Sequence, residues 1–394
     1  MAIKSVDDLN VSGRRVFVRV DFNVPIDDGQ VTDDTRIVAA LPTIKNLKER
    51  GAKIILASHL GRPGGAGPEP EFSLQPAAAR LAELLECDVK FIDDCVGDGP
   101  KKAVSDLNDG DILVLENLRF HKGEKKNDPD FSRKLAELCE VYVNDAFGTS
   151  HRAHASVVGI PALVEEKGAG YLMFKEWEYF NKLLERPVKP FWAVLGGAKV
   201  SDKVGVVENL LKLVDGIVIG GAMANTFLAS QGKKLGKSKI EEDKLQIAKE
   251  TLEKAELRSI RILLPDDHIA AAGLDSDGST AKAATNADFP QDLMALDIGP
   301  KTVEKFKNAL REAKTVFWNG PMGVFEKDAF ANGTIEIAKM IAESNAVSVV
   351  GGGDSVAAAA KAGVSGKINH ISTGGGASLE FMEGKKLPGF TALQ

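Results

Sequence analysis

Short apolar runs alternate with longer amphipathic stretches along the whole chain. The runs Val16–Val20, Ile54–Ser58, Val89–Ile92, Ile112–Leu115 and Val141–Val143 read as one set of strands. A second set comprises Phe191–Leu195, Gly216–Ile219, Arg261–Leu264, Thr315–Trp318, Ala346–Val350 and Ile368–Ile371. Most are apolar at successive positions rather than alternate ones, the pattern of parallel strands covered on both faces. Helical spacing lies between them. Ile37, Leu41, Ile44 and Leu47 recur within Asp34–Arg50, with Gly51 as a stop. Val204, Val207, Leu211 and Val214 do the same within Ser201–Val214, where Ser201 is a candidate cap. The alternation predicts an α/β chain of two doubly wound, mostly parallel-sheet, Rossmann-like domains.

One stretch divides the two strand sets. In Gly168–Arg186, Met173, Trp177, Phe180 and Leu184 fall at helical spacing, and Pro187 and Pro190 end the pattern. This reads as a linker helix over 171–189, between a first domain over 1–170 and a second over 190–378.

Length agrees, because 394 residues exceed what a single core supports. Charge narrows the partners. Lys+Arg number 50 and Asp+Glu 56, a net −6, which argues against nucleic acid. The three cysteines form no C-x-x-C pair, pointing to a reducing, cytoplasmic setting. No signal-peptide core and no membrane-length apolar run is present. His151 and His154 are the only histidines close in sequence, so no zinc spacing is evident.

Ligands of open α/β sheets bind beyond the carboxyl ends of the strands. In the first half those positions read Asp21-Phe22-Asn23, Ser58-His59-Leu60-Gly61-Arg62, Asn117-Leu118-Arg119 and, a few residues beyond the last run, His151-Arg152-Ala153-His154. With Arg36, at the start of the next helix, they predict a basic bowl of Arg36, His59, Arg62, Arg119 and Arg152. Arginine forks match carboxylate and phosphate, so the bowl suits a small polyanion.

In the second half the same positions carry glycine: Gly196-Gly197, Gly220-Gly221, Asn319-Gly320, Gly351-Gly352-Gly353-Asp354-Ser355 and Gly374-Gly375-Gly376. Glycine lets backbone N–H groups approach a ligand, and a helix N-terminus favours anions. Gly351–Ser355 therefore reads as a phosphate cradle, with Asp354 placed to hold Mg²⁺ and Lys199 and Lys203 within reach of phosphates. No G-x-G-x-x-G occurs, which argues against a dinucleotide-dependent dehydrogenase. Gly236-Lys237-Ser238 lacks the first P-loop glycine, since position 231 is Gln231. A two-lobed anion-binding protein without chemistry, or an inactive relative, stays open on these features alone.

At these residues the chain resembles the phosphoglycerate kinase family. The resemblance rests on Arg19-Val20-Asp21-Phe22-Asn23-Val24-Pro25, Ser58–Pro63, Glu116–Phe120, Asn144–Phe147, His151–His154, Gly196–Lys203, Trp318–Glu326, Gly351–Ser355 and Ser372–Leu379. It implies reversible phosphoryl transfer between 1,3-bisphosphoglycerate and ADP, giving 3-phosphoglycerate and ATP. It places the acid on Asp21, Asn23, Arg36, His59, Arg62, Arg119 and Arg152. It places the Mg-nucleotide on Lys199, Lys203, Gly221, Asn319, Glu326, Gly352, Gly353, Asp354 and Ser355, with Glu326 on the ribose and Asp354 on the metal. Arg36, Lys199, Lys203, Gly352 and Gly353 would stabilise the transferring phosphoryl group. Ala222 departs from the three glycines common beside the adenine. The resemblance further implies a monomer, a return of residues 379–394 to the first domain, and transfer after hinge closure. No membrane or nucleic-acid partner is expected.

Overall fold

In the sequence Arg15–Val20, β1, every side chain after the first is buried, including that of Arg19. A strand so covered must lie in the middle of a sheet, and it does. The computed structural model describes residues 3–394. The chain divides into two compact units, Met1–Glu178 with Lys386–Gln394, and Tyr179–Lys385. The division falls within the helix Tyr171–Glu185.

In the first unit a hairpin of β2 (Ile26–Asp27) and β3 (Gln30–Val31) follows β1. Then come β4 (Lys53–Ala57), β5 (Lys90–Ile92), β6 (Ile112–Leu115), β7 (Val141–Asp145) and β8 (Glu166–Ala169). The sheet order is β5-β6-β4-β1-β7-β8, with all pairings parallel. Helix Thr35–Glu49 buries Ile37, Ala40, Ile44 and Leu47 in the core containing Val16, Val18 and Ile54. Each such aliphatic side chain contributes about 1.5–3 kcal/mol. Gly51, at φ +71°, turns the chain out of that helix.

In the second unit the main sheet comprises β9 (Phe191–Leu195), β10 (Gly216–Ile219), β11 (Arg261–Leu263), β15 (Thr315–Asn319), β16 (Val347–Val350) and β17 (His370–Ile371). Its order is β11-β10-β9-β15-β16-β17, again all parallel. Trp192, Trp318, Phe306 and Ile337 anchor its core. Between β11 and β15 lies an antiparallel sheet of β12 (Asp267–Ala271), β13 (Lys282–Thr285) and β14 (Met294–Ile298), ordered β13-β12-β14.

Two large parallel sheets with covering helices agree with the α/β reading. The structure departs from it locally. The antiparallel sheet, the hairpin and β8 were not expected. The helix expected over Ser201–Val214 is confined to Val204–Leu210, because Ser201 does not cap it. The Ser201 hydroxyl donates instead to Glu241 at 2.6 Å. The segment grouped with the first unit is Lys386–Gln394, shorter than 379–394. Met382 is buried and its carbonyl accepts from Asn209 at 2.9 Å, which holds helix Gly376–Met382 in the second unit. Gly389 N–H donates to Ser150 O at 2.8 Å and Phe390 packs on Phe147 in the first. No helix among the described residues is long and apolar enough to cross a membrane.

Candidate active site

In the first unit, β6, β4, β1 and β7 are consecutive neighbours, so their carboxyl ends share one edge. That edge receives Arg119 after β6, His59 after β4, Asp21 after β1 and, beyond β7, Arg152. Asp21 Oδ2 accepts from Arg36 at 2.8 Å, while its buried Oδ1 has no hydrogen-bond donor. Asn23 Oδ1 accepts from Gly61 N–H at 2.8 Å, which fixes the loop leading to Arg62. Arg62 is exposed. Arg119 is 5% exposed and donates to Gly61 O at 2.7 Å, leaving its buried Nε without an acceptor. Arg152 Nε donates to His151 Nε2 at 3.2 Å.

Beneath this rim lies Arg19, fully buried. It donates to Ser156 Oγ at 2.9 Å and to the carbonyl of Val20, and its Nη2 lies 3.1 Å from His59 Nδ1. A guanidinium only donates, so His59 Nδ1 accepts and the ring proton sits on Nε2. Ser156 in turn donates to the buried Glu124 at 2.6 Å. Burial, with Arg19, Arg119 and Arg152 close by, pushes His59 well below the ordinary histidine range. The same causes, with Arg119 the leading charge, push His154 down to about 4. Burial, then Arg152 and Arg19, bring Arg119 down to about 10. Crowded cations lower one another's pKa, and a bound polyanion relieves that repulsion.

In the second unit the corresponding neighbours are β10, β9, β15 and β16. Their carboxyl ends carry glycine turns that press on one another. At Gly221, φ +66°, a Cβ would lie 2.6 Å from Gly197 N and 2.9 Å from Pro321 O. At Gly352, φ +91°, it would lie 2.7 Å from Asn319 Nδ2. Only glycine fits backbone packed so closely. Asn319 links the turns, donating to Gly351 O at 2.7 Å, and Gly320 N–H donates to Ser355 Oγ at 2.6 Å. Helix Gly353–Lys361 starts here, so its first N–H groups have no acceptor within the helix.

Lys203 is 9% exposed and donates to Asn319 O at 2.9 Å and to Asn319 Oδ1. Burial brings it down to about 8, against the opposing pull of Asp354 and Asp202. Lys199, Gly353, Asp354 and Glu326 are exposed. A cavity of about 280 Å³ opens between the turns, lined by Gly221, Ala222, Leu296, Met322, Glu326 and Asp354 among others. A flat aromatic ring fits its apolar side, and an anionic group fits the Gly352–Ser355 end.

The family model of phosphoglycerate kinase matches residues 6–385. The chain belongs to the phosphoglycerate kinase family. It is 56% identical to the phosphoglycerate kinase of Anaeromyxobacter sp. (strain Fw109-5) over 396 residues, all of both chains. It is 52% identical to that of Clostridium botulinum (strain Hall) over 392 residues, 99% of this chain and 98% of the relative. The phosphoglycerate kinase structure from Coxiella burnetii superposes at a TM-score of 0.94 with 41% identity, covering 100% of this chain and 99% of that one. The structure from Pyrococcus horikoshii OT3 does so at 0.85 with 37% identity, covering 99% and 98%. As a phosphoglycerate kinase the protein is a phosphotransferase.

Sequence reasoning missed three groups around this phosphoglycerate kinase site. Arg19 lay inside an apolar strand, where its charge was the only signal. Glu124 sits in a Lys-rich run that reads as a solvated surface, yet it is fully buried. Asp297 lines the nucleotide-sized cavity and accepts from Gly333 N–H at 2.7 Å and Ile298 N–H at 2.8 Å. Burial pushes its carboxyl up to about 7.

Proposed function

We propose that the two units divide the reaction, the first holding 3-phosphoglycerate or 1,3-bisphosphoglycerate and the second ADP or ATP. The carrying observation is the contrast between equivalent strand ends. Those of the first unit deliver arginine and histidine side chains, and those of the second deliver glycine turns around Lys203. Arginine forks suit the carboxylate and phosphate of the acid. Backbone N–H groups and a helix start suit nucleotide phosphates.

In the direction of ATP formation, a β-phosphate oxygen of ADP bonds to the phosphorus of the acyl phosphate. The phosphorus–oxygen bond to the acyl carboxylate breaks, and the carboxylate leaves as an anion. Both nucleophile and leaving group are ionised at neutral pH, so no general base is required. The protein's task is charge stabilisation. Arg36 serves from the first unit. Lys199, Lys203 and the N–H groups of Gly352 and Gly353 serve from the second. Asn23, His59, Arg62, Arg119 and Arg152 hold the acid, and Gly221, Asn319, Glu326 and Ser355 hold the nucleotide. Reacting atoms must come within about 3–3.5 Å, so we assign transfer to a hinge-closed state of the two units.

The donor set fits Mg²⁺. Asp354 is an exposed carboxylate beside phosphate-cradling amides, and Mg²⁺ uses one or two carboxylates plus substrate phosphates rather than an all-protein cage. Asp354 would hold the ion, which when bound supplies neutralising charge on the phosphates. The three unpaired cysteines support a reducing, cytoplasmic setting. We read the protein as a monomer acting on small molecules, with no nucleic-acid or membrane partner.

Isothermal titration calorimetry tests the partition. Asp354→Ala weakens Mg-nucleotide binding at least tenfold and leaves 3-phosphoglycerate binding within twofold, by the order of magnitude for a lost charge contact. Equal losses for both ligands contradict it.

A further inference from the structure

β5 and β6 are adjacent, so the turns that follow them meet. The turn after β5 carries Asp94 and Cys95, and His121 follows the 3-10 turn Leu118–Phe120 after β6. Asp94, Cys95 and His121 present an oxygen, a sulfur and a nitrogen, all within 4.8 Å of one another. No other such cluster occurs among the described residues.

The cluster is held in place. His121 Nε2 lies 2.7 Å from Asp94 Oδ1, and its ring stacks on Phe131 at 5.3 Å. The same Asp94 oxygen accepts from Cys95 N–H at 2.6 Å. Cys95 is 1% exposed and forms the inner wall, whereas Asp94 and His121 face solvent in part and leave an entry path. Glu116 and Glu124 add negative charge around the thiol.

We propose that Asp94, Cys95 and His121 bind one thiophilic divalent cation of the Zn²⁺ class. Carboxylate, thiolate and imidazole are zinc's usual donors, and three protein ligands leave a fourth position for water. Mg²⁺, which prefers oxygen donors, is a poor competitor here. On binding, the thiol releases its proton to solvent and sulfur bonds to the metal. The imidazole proton moves to Nδ1, freeing Nε2 to coordinate. The opening of the Asp94–His121 hydrogen bond makes room for the ion. The site lies apart from the nucleotide cavity in the second unit and holds a different class of metal from the one assigned to Asp354.

The test is Co²⁺ titration of the chelator-treated full chain without nucleotide, followed by ultraviolet–visible absorption. The expected result is one cobalt per chain, a thiolate-to-cobalt charge-transfer band, and loss of that band on adding Zn²⁺. Cys95→Ser abolishes the band, Asp94→Asn weakens cobalt binding at least tenfold, and Cys87→Ser leaves the spectrum unchanged. No band in the wild type overturns the proposal, as does a band that survives Cys95→Ser. Should Cys95→Ser fail to fold, unchanged cobalt affinity in both Asp94→Asn and His121→Gln overturns it equally.

Discussion

Lys203 makes a quantitative prediction for nucleotide binding. Its ammonium is 9% exposed and held on Asn319, and burial lowers its pKa from 10.5 to about 8. In the unliganded protein it is therefore about 90% charged at pH 7 and about 10% charged at pH 9. If bound phosphate keeps it protonated, the apparent dissociation constant scales as 1 + 10^(pH − pKa), a rise of about tenfold across that interval. This corresponds to about 1.4 kcal/mol of lost affinity. Calorimetric titration of ADP at intervals between pH 7 and pH 9 measures it, and the phosphates of ADP stay ionised throughout. Lys203→Arg keeps its charge and should flatten the profile. Stability moves the other way. Between pH 8 and 10.5 the unfolded chain binds more protons at this lysine than the fold does, so wild type gains stability relative to Lys203→Met as pH rises through that window. A flat ADP affinity in wild type, or an undiminished decline in Lys203→Arg, refutes the assignment of this lysine to the phosphates.

Gly221→Ala places a methyl 2.6 Å from Gly197 N and 2.7 Å from Gly197 O at a left-handed φ. The conformation alone costs about 1–2 kcal/mol, and the backbone must move as well. We expect a lower melting temperature and at least tenfold weaker ADP binding, with 3-phosphoglycerate binding unchanged; normal ADP affinity contradicts the close packing of these turns. Arg19→Met removes the donor to Ser156 and His59 and strips a buried carboxylate network of its cation. The expected loss is about 3–5 kcal/mol in chemical denaturation, together with weakened 3-phosphoglycerate binding. A loss under 1 kcal/mol shows that the network is dispensable.

Most of the parallel architecture was legible because strands covered on both faces must be apolar at consecutive positions. Elements covered on one side or lying at an edge gave weaker signals. β8, Glu166–Ala169, holds two charged residues and a glycine, and β13, Lys282–Thr285, is mostly exposed. The site was legible where chemistry sits at strand ends, as at His59, Arg119 and Asn319. It was illegible where folding buries a charge that sequence assigns to the surface. Arg19, Glu124 and Asp297 are charged residues whose role depends on neighbours distant in sequence. The Asp94, Cys95 and His121 cluster is another such case, since residues 94 and 121 meet only because β5 pairs with β6. Ser201 shows the reverse. Its spacing favoured a cap, but Glu241 offered its hydroxyl a better partner.

The central claim is that Arg36, reaching over the acid site from the first unit, stabilises a phosphoryl group supplied across from Lys203 in the second. Its guanidinium is 41% exposed and held by Asp21 at 2.8 Å, so replacing it removes charge without opening the core. The most direct measurement is ATP formation from 1,3-bisphosphoglycerate and MgADP in a coupled assay, wild type beside Arg36→Ala. An arginine in this role is worth about 10³–10⁵ in rate, so kcat falls by about three orders of magnitude or more while ADP affinity and melting temperature hold. A kcat within tenfold of wild type contradicts the account.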